Sequence, residues 1–290
     1  MQRFHWVSVT STCDYSRFRT NIKVVYKRAI DSCRYYQPSK IRLRLKIDLY
    51  FFLAHAEDPE KLVDATDAYP GQFPYTVSLR VDNSHICGGA IVSNYHILTA
   101  AHCVKALANY PNQVSVVSGS IYLNQGGEYH SVASMYAHPL YASNSIADYD
   151  LIAYSQLADP INFNDYQLAI ELPTATPPSG EYAIVSAWGD TSAPPNGNLS
   201  NTMQYLYLRM IGLSVCQQYS NLGFQGNVIC TYDGPGIGLC PGDSGSPLAY
   251  NGQLAGVVSR GIPCAQGEPD VFANIYDNID FVPSRCSECK

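Results

Sequence analysis

From Tyr75 onward the chain alternates between short runs of β-branched and aromatic residues and clusters of Gly, Pro, Asn, Asp and Ser. The runs are Tyr75–Val81, Gly89–Ser93, Gln113–Gly119, Leu151–Tyr154, Glu181–Val185, Gln204–Met210, Val228–Thr231, Pro247–Tyr250, Leu254–Ser259 and Val271–Ile275. Runs this short, separated by turn signals, predict an all-β barrel or sandwich. No long stretch carries a helical period before Tyr276–Arg285, so a short C-terminal helix is expected there. Pro173, Pro177 and Pro178 crowd into Leu172–Gly180, which reads as a linker between two halves.

The first 61 residues have a different character. Before Leu62 there are 12 Lys/Arg and 6 Asp/Glu; from Leu62 onward there are 6 and 18. Residues 41–56 read as a secretory signal: a basic flank, an apolar run interrupted by Asp48, and Ala54-His55-Ala56 at a cleavage site. About ten apolar residues are too few to span a bilayer. The signal starts far from Met1, so residues 1–40 read either as a mis-called upstream exon or as a sign that the true first exon is missing, and the secreted form is expected to begin near Glu57. The acidic body argues against a nucleic-acid partner, which would need a basic face. Ten cysteines point to an oxidising compartment. Cys286-x-x-Cys289 reads either as a redox or zinc motif or as a tail disulfide, and Cys13 and Cys33 are left without an assignment. Asn198-Leu199-Ser200 is a glycosylation sequon.

Three segments carry candidate chemistry. Gly242-Asp243-Ser244-Gly245-Ser246-Pro247 holds a serine between glycines, Thr99-Ala100-Ala101-His102-Cys103 holds a histidine, and Asp150 lies between them in the chain. A serine hydroxyl is a weak nucleophile near neutral pH and needs a base and a group that orients the base. Ser244, His102 and Asp150 can fill those roles, with Asp148 competing for the third. Taken singly, each segment would more often be an ordinary turn, surface or strand-end feature.

Together, in the order His, Asp, Ser, these segments resemble the chymotrypsin-like serine endopeptidases. Pro70–Tyr75, Cys87-Gly88-Gly89-Ala90 and Ala187-Trp188-Gly189 add to the likeness, which runs from about Leu62 to Val282. The run from Gly261 to Phe272 resembles arthropod chymotrypsins and collagenolytic relatives. The resemblance implies two six-stranded antiparallel β-barrels with the active site between them, in a peptidase domain spanning 62–286. It implies His102 as base, Asp150 as its orienter, Ser244 as nucleophile, and an oxyanion hole from the N–H groups of Gly242 and Ser244. It implies the disulfides Cys87–Cys103, Cys216–Cys230 and Cys240–Cys264, each worth roughly 2–4 kcal/mol.

The same resemblance makes residues 57–61 an activation peptide. Cleavage after Lys61 would free Leu62, whose ammonium would pair with Asp243. Leu62-Val63-Asp64-Ala65 departs from the family's Ile-Val-Gly-Gly, so activation that is poor or occurs elsewhere is the other reading. The substrate pocket maps onto Gly238, Ser259, Arg260, Gly261 and Asp270. Gly238 stands where Arg/Lys-specific members carry Asp, while Asp270 puts a carboxylate on the other floor position. Large apolar or aromatic P1 residues are therefore expected, with some tolerance for basic ones. Arg260 replaces a family Trp and changes an apolar surface to a charged one. Ser259 is expected to support Asp150. No cofactor and no metal are implied. Protein substrates, proteinaceous inhibitors, a secreted monomer and no membrane attachment after processing are expected. The rival is a non-catalytic homologue acting as a binding or regulatory module. A lipase or esterase fits less well, because the pattern around Ser244 is not Gly-x-Ser-x-Gly between strand and helix.

Overall fold

The computed structural model describes residues 65–141, 152–191, 197–219, 227–260, 264–282 and 289. The N-terminal segment, Lys61, Leu62, Asp148, Asp150, Gly261, Cys13, Cys33 and Cys286 lie outside the described residues.

Among the described residues there are thirteen strands, twelve of which form two barrels. A short β1 (Thr66–Asp67) is an outlying strand. β2 (Thr76–Val81), β3 (Ser84–Ser93), β4 (His96–Ala100), β5 (Val114–Ser118), β6 (Glu128–Ala137) and β7 (Ile152–Leu157) close in the order β2-β3-β4-β7-β6-β5. β8 (Tyr182–Ala187), β9 (Gln204–Ile211), β10 (Val228–Thr231), β11 (Pro247–Tyr250), β12 (Gln253–Arg260) and β13 (Asp270–Asn274) run β9-β10-β13-β12-β11-β8. A β8–β9 pairing closes this second barrel, and β1 adds to β9. Every ladder is antiparallel.

The ten runs expected as strands all fall on strands. Two further long elements carry little signal in the chain. β6 exposes Glu128, Tyr129 and Ser131 and buries His130 and Val132, then slips register between Val132 and Ser134. That bulge breaks the alternation a period-2 reading depends on. β4 is buried throughout, so it shows no alternation at all. Two short helices, α1 (Ala101–Lys105) and α2 (Leu213–Tyr219), were likewise not expected. At the C-terminus Tyr276–Phe281 is a 3-10 turn with a non-helical residue at Asn278, rather than a regular α-helix. The Asn278 side-chain amide donates to the Asn274 carbonyl at 2.8 Å, which competes with a regular helical ladder.

β2 is buried on both faces. Val77 and Leu79 enter the first barrel's core, while Thr76 and Ser78 face the second barrel. The Thr76 hydroxyl meets that of Ser186 at 2.6 Å. Ala90, Val92 and Leu98 pack with Leu254, Val257, Ile275 and Phe281 across the junction. Trp188, fully buried at the end of β8, donates its indole N–H to the Ile121 carbonyl at 2.8 Å. These contacts fix one barrel against the other, which any site built from both requires.

Candidate active site

His102 is the second residue of α1, immediately after β4. The register of β4 with β7 pairs Thr99 with Ala153 and Ala100 with Ile152. α1 is tied back to β3 by the Cys87–Cys103 disulfide. A ring nitrogen of His102 lies within 4.8 Å of both sulfurs. This grouping is not a metal centre, because coordination needs thiolates and these sulfurs are bonded to each other.

Ser244 sits in a tight turn of the second barrel. Asp243 N–H donates to the Cys240 carbonyl at 3.2 Å, and Ser246 N–H donates to the Asp243 carbonyl at 3.0 Å. Gly245 N–H donates to Val258 on β12 at 2.7 Å, and Val258 N–H returns to Ser246 at 2.9 Å. The turn is also held by the first barrel, since Gly88 N–H donates to the Ser244 carbonyl at 2.7 Å. Gly88 adjoins Cys87, so one hydrogen bond and one disulfide link the Ser244 turn to the His102 helix. Gly242 has φ +96°, a conformation that disfavours side chains. Its carbonyl lies 3.0 Å from His85 Nε2.

Asp243 is fully buried. One carboxylate oxygen accepts from Gly189 N–H at 2.7 Å and the other from Cys240 N–H at 2.8 Å. Gly189 is needed there, because a Cβ would collide with the carboxylate. Burial is the main cause that raises its pKa, from 3.8 to about 7; the two N–H donors oppose it and the Asp190 charge adds to it. Among the described residues no cation is paired with it.

Leu239, Cys240, Pro241, Ser244, Val258 and Ser259 line a cavity of about 230 Å³ together with Arg260. Ser259 lies where β12 slips register between Val258 and Arg260. Such a bulge re-aims side chains next to a site. Gly238 lies against the Asp270 carboxylate, which accepts from Leu239 N–H at 3.1 Å. Thr231 is paired opposite Asp270, and its buried hydroxyl has no hydrogen-bond partner. Burial raises the Asp270 pKa from 3.8 to about 7, the Leu239 N–H opposes that shift, and the neighbouring Asp243 charge adds to it. The Cys240–Cys264 disulfide and the Cys264 N–H to Leu239 carbonyl bond (2.8 Å) hold this wall.

Residues 62–282 match the family model described as Trypsin. The chain belongs to the trypsin family of serine endopeptidases. Chymotrypsin-2 of Vespa crabro is 34% identical over 76% of this chain and 98% of its own. Hypodermin-A of Hypoderma lineatum is 35% identical, covering 77% of this chain and 85% of its own. The solved structure of neuropsin, a serine protease expressed in the limbic system of mouse brain, superimposes with a TM-score of 0.70 at 27% identity. It covers 76% of this chain and 98% of that one.

As a trypsin-family enzyme, the chain carries the hydrolase fold and three disulfides, the third being Cys216–Cys230, which staples α2 to β10. Cys289 is disulfide-bonded as well. Among the described residues no helix is long and apolar enough to cross a membrane. Sequence reading passed over His85, Ser78 and Arg80. Ordinary residue types in a hairpin give no signal, and only the fold brings His85 to Gly242, 157 residues away.

Proposed function

We propose that this trypsin-family enzyme cleaves peptide bonds through a Ser244–His102–Asp150 triad. The linkage of Ser244 to Gly88, and of neighbouring Cys87 to Cys103, carries this reading, because it ties the nucleophile turn to the helix bearing the imidazole. Asp150 is preferred over Asp148. The β4–β7 register stops at Ala100 and Ile152, two residues short of both His102 and Asp150.

The Ser244 hydroxyl oxygen adds to the scissile carbonyl carbon while His102 takes its proton. The carbonyl π pair moves to oxygen, which accepts from the N–H groups of Gly242 and Ser244. Each such donor is worth roughly 2.7–4 kcal/mol in serine peptidases. Collapse breaks the C–N bond as His102 protonates the departing amine. Water then attacks the acyl-enzyme, with its proton passing through His102 back to Ser244. Asp150 accepts the other imidazole N–H, which fixes the tautomer and stabilises the imidazolium.

Cleavage after Lys61 would release the Leu62 ammonium as the counter-charge that buried Asp243 lacks among the described residues. The pocket bounded by Gly238, Ser259, Arg260, Gly261 and Asp270 favours large apolar or aromatic P1 residues. Of these residues Ser259 and Arg260 line the cavity of about 230 Å³ beside Ser244, which has room for an aromatic ring, and Asp270, which accepts from the N–H of the lining residue Leu239, would give partial tolerance of basic side chains. Ser259 supports Asp150, and Arg260 favours acidic residues ahead of P1. Processing at the 41–56 signal would deliver a secreted monomer acting on proteins and open to proteinaceous inhibitors.

The test is fluorophosphonate labelling of protein cleaved after Lys61. Covalent modification at Ser244, absent in Ser244→Ala, is expected. Clean resistance of the cleaved protein would replace this reading with a non-catalytic binding module. A peptide library cleaved only after Arg and Lys, or only after Ala and Gly, would overturn the pocket reading.

A further inference from the structure

Ser78 and Arg80 lie two apart on β2 and so share a face, and β3 places His85 directly opposite Arg80. Arg80 and Ser78 are buried. Arg80 Nε donates to Ser78 Oγ at 3.0 Å, Ser78 Oγ lies 2.9 Å from His85 Nδ1, and His85 Nε2 lies 3.0 Å from the Gly242 carbonyl. Chemistry allows one polarity for a neutral ring. A guanidinium only donates, so Ser78 Oγ accepts from Arg80. A carbonyl only accepts, so the proton on His85 sits on Nε2. Nδ1 is then the acceptor that takes the Ser78 hydroxyl proton.

We infer that Arg80 is a positioning residue for catalysis: through Ser78 it holds His85 as the Nε2–H tautomer, and His85 in turn fixes the Gly242 carbonyl and the oxyanion donor on the same residue. This inference rests on the proposed role of Gly242.

The surroundings support a neutral ring. Burial lowers the His85 pKa most, the Gly242 bond opposes that, and the Arg80 charge lowers it further. The His85 ring packs 5.7 Å from that of Trp188, which offers no charge. From β6, Tyr129 meets Arg80 with its hydroxyl at 3.2 Å and its ring at 5.6 Å; from the hairpin turn, Asn83 accepts at 3.3 Å. None of the hydrogen-bond partners of Arg80 among the described residues is a carboxylate, so its charge is not cancelled locally. On the second barrel the titratable group beside Gly242 is Asp243, which is buried and follows it in sequence.

The experiment combines ring-nitrogen NMR of 15N-histidine-labelled, Lys61-cleaved protein with steady-state kinetics, His85→Gln assigning the resonance among the five histidines from Leu62 onward. The NMR arm uses the Ser244→Ala background, so it reads the relay whether or not the triad assignment holds. The expected result is an Nε2-protonated His85 that takes up its second proton at lower pH than an ordinary imidazole. In Arg80→Gln that protonation should move to higher pH, and kcat should fall about tenfold with KM within twofold, one hydrogen bond's worth. Arg80→Lys, which keeps the charge, should move it back. Should Arg80→Gln not fold, Ser78→Ala removes the middle hydroxyl alone, and Nδ1–H tautomer should appear with the same kcat loss. A parent His85 protonated on Nδ1 or titrating normally overturns the inference, as does a changed ring with unchanged kcat, or a lower kcat with an unchanged ring.

Discussion

The uncleaved chain should lose stability as the pH rises from about 4 to about 7, with Asp243 and Asp270 sharing that loss and Asp243→Asn isolating the first share. An ordinary aspartate gives up its proton near 3.8, whereas Asp243, fully buried with no cation beside it among the described residues and with the Asp190 charge nearby, gives it up near 7. Below 3.8 both folded and unfolded chains hold the proton. Between the two values only the unfolded chain ionises, so unfolding is drawn forward; above 7 the loss is complete. The interval corresponds to about 4 kcal/mol as an upper figure. Asn is close in shape to the protonated acid and also presents one accepting oxygen to Gly189 or Cys240. Asp243→Asn should therefore match the parent at pH 4 and exceed it by up to about 4 kcal/mol at pH 8. The assay is urea unfolding at pH 4 to 8 of uncleaved protein, with Ser244→Ala in both chains to prevent autolysis. After cleavage at Lys61 the slope of the parent should reverse, because the Leu62 ammonium favours the ionised carboxylate. Parallel pH profiles for the parent and Asp243→Asn would refute the reasoning, since they would mean the buried carboxyl does not change its proton affinity on folding.

With Asp270 in the proposed substrate pocket, P1 preference should depend on pH. The ratio of kcat/KM for Arg over Phe substrates cancels pH effects common to both substrates, and it should rise about tenfold between pH 6 and 8 as the carboxyl ionises through about 7. In Asp270→Asn the ratio should stay flat; a parent ratio that does not change would remove Asp270 from the pocket floor. Ser246 carries a buried hydroxyl with no hydrogen-bond partner, pressed against Gly88. Ser246→Ala should raise unfolding free energy by about 1 kcal/mol, because an unpaired buried hydroxyl is a net cost; a drop in the urea midpoint would show that the hydroxyl has a partner in solution.

Much of the fold was legible because short β-branched runs between turn residues carry their own signal. Val228–Thr231 and Pro247–Tyr250 coincide with β10 and β11 to the residue. β6 and β4 escaped for opposite reasons: the bulge after Val132 destroys one alternation, and burial on both faces erases the other. The candidate residues Ser244 and His102 stood out as contiguous motifs, since a serine between glycines and a histidine before a cysteine are local patterns. The relay through Arg80, Ser78 and His85 did not, because its logic is a pairing register and a contact between barrels.

The chain by itself determined the residue types at each chemical position: a serine between glycines, a histidine before a cysteine, and carboxylates at 243 and 270. These follow from local backbone demands and side-chain chemistry, which travel with the residues. Tertiary structure alone decided their charge states and mutual placement. Folding of the second barrel and its loops buries Asp243 and Asp270 and moves both toward neutral pH, and docking of the two barrels brings the carbonyl of Ser244 to Gly88. Desolvation and hydrogen-bond geometry depend on what surrounds a group in space, and sequence neighbours supply only a small part of that surrounding.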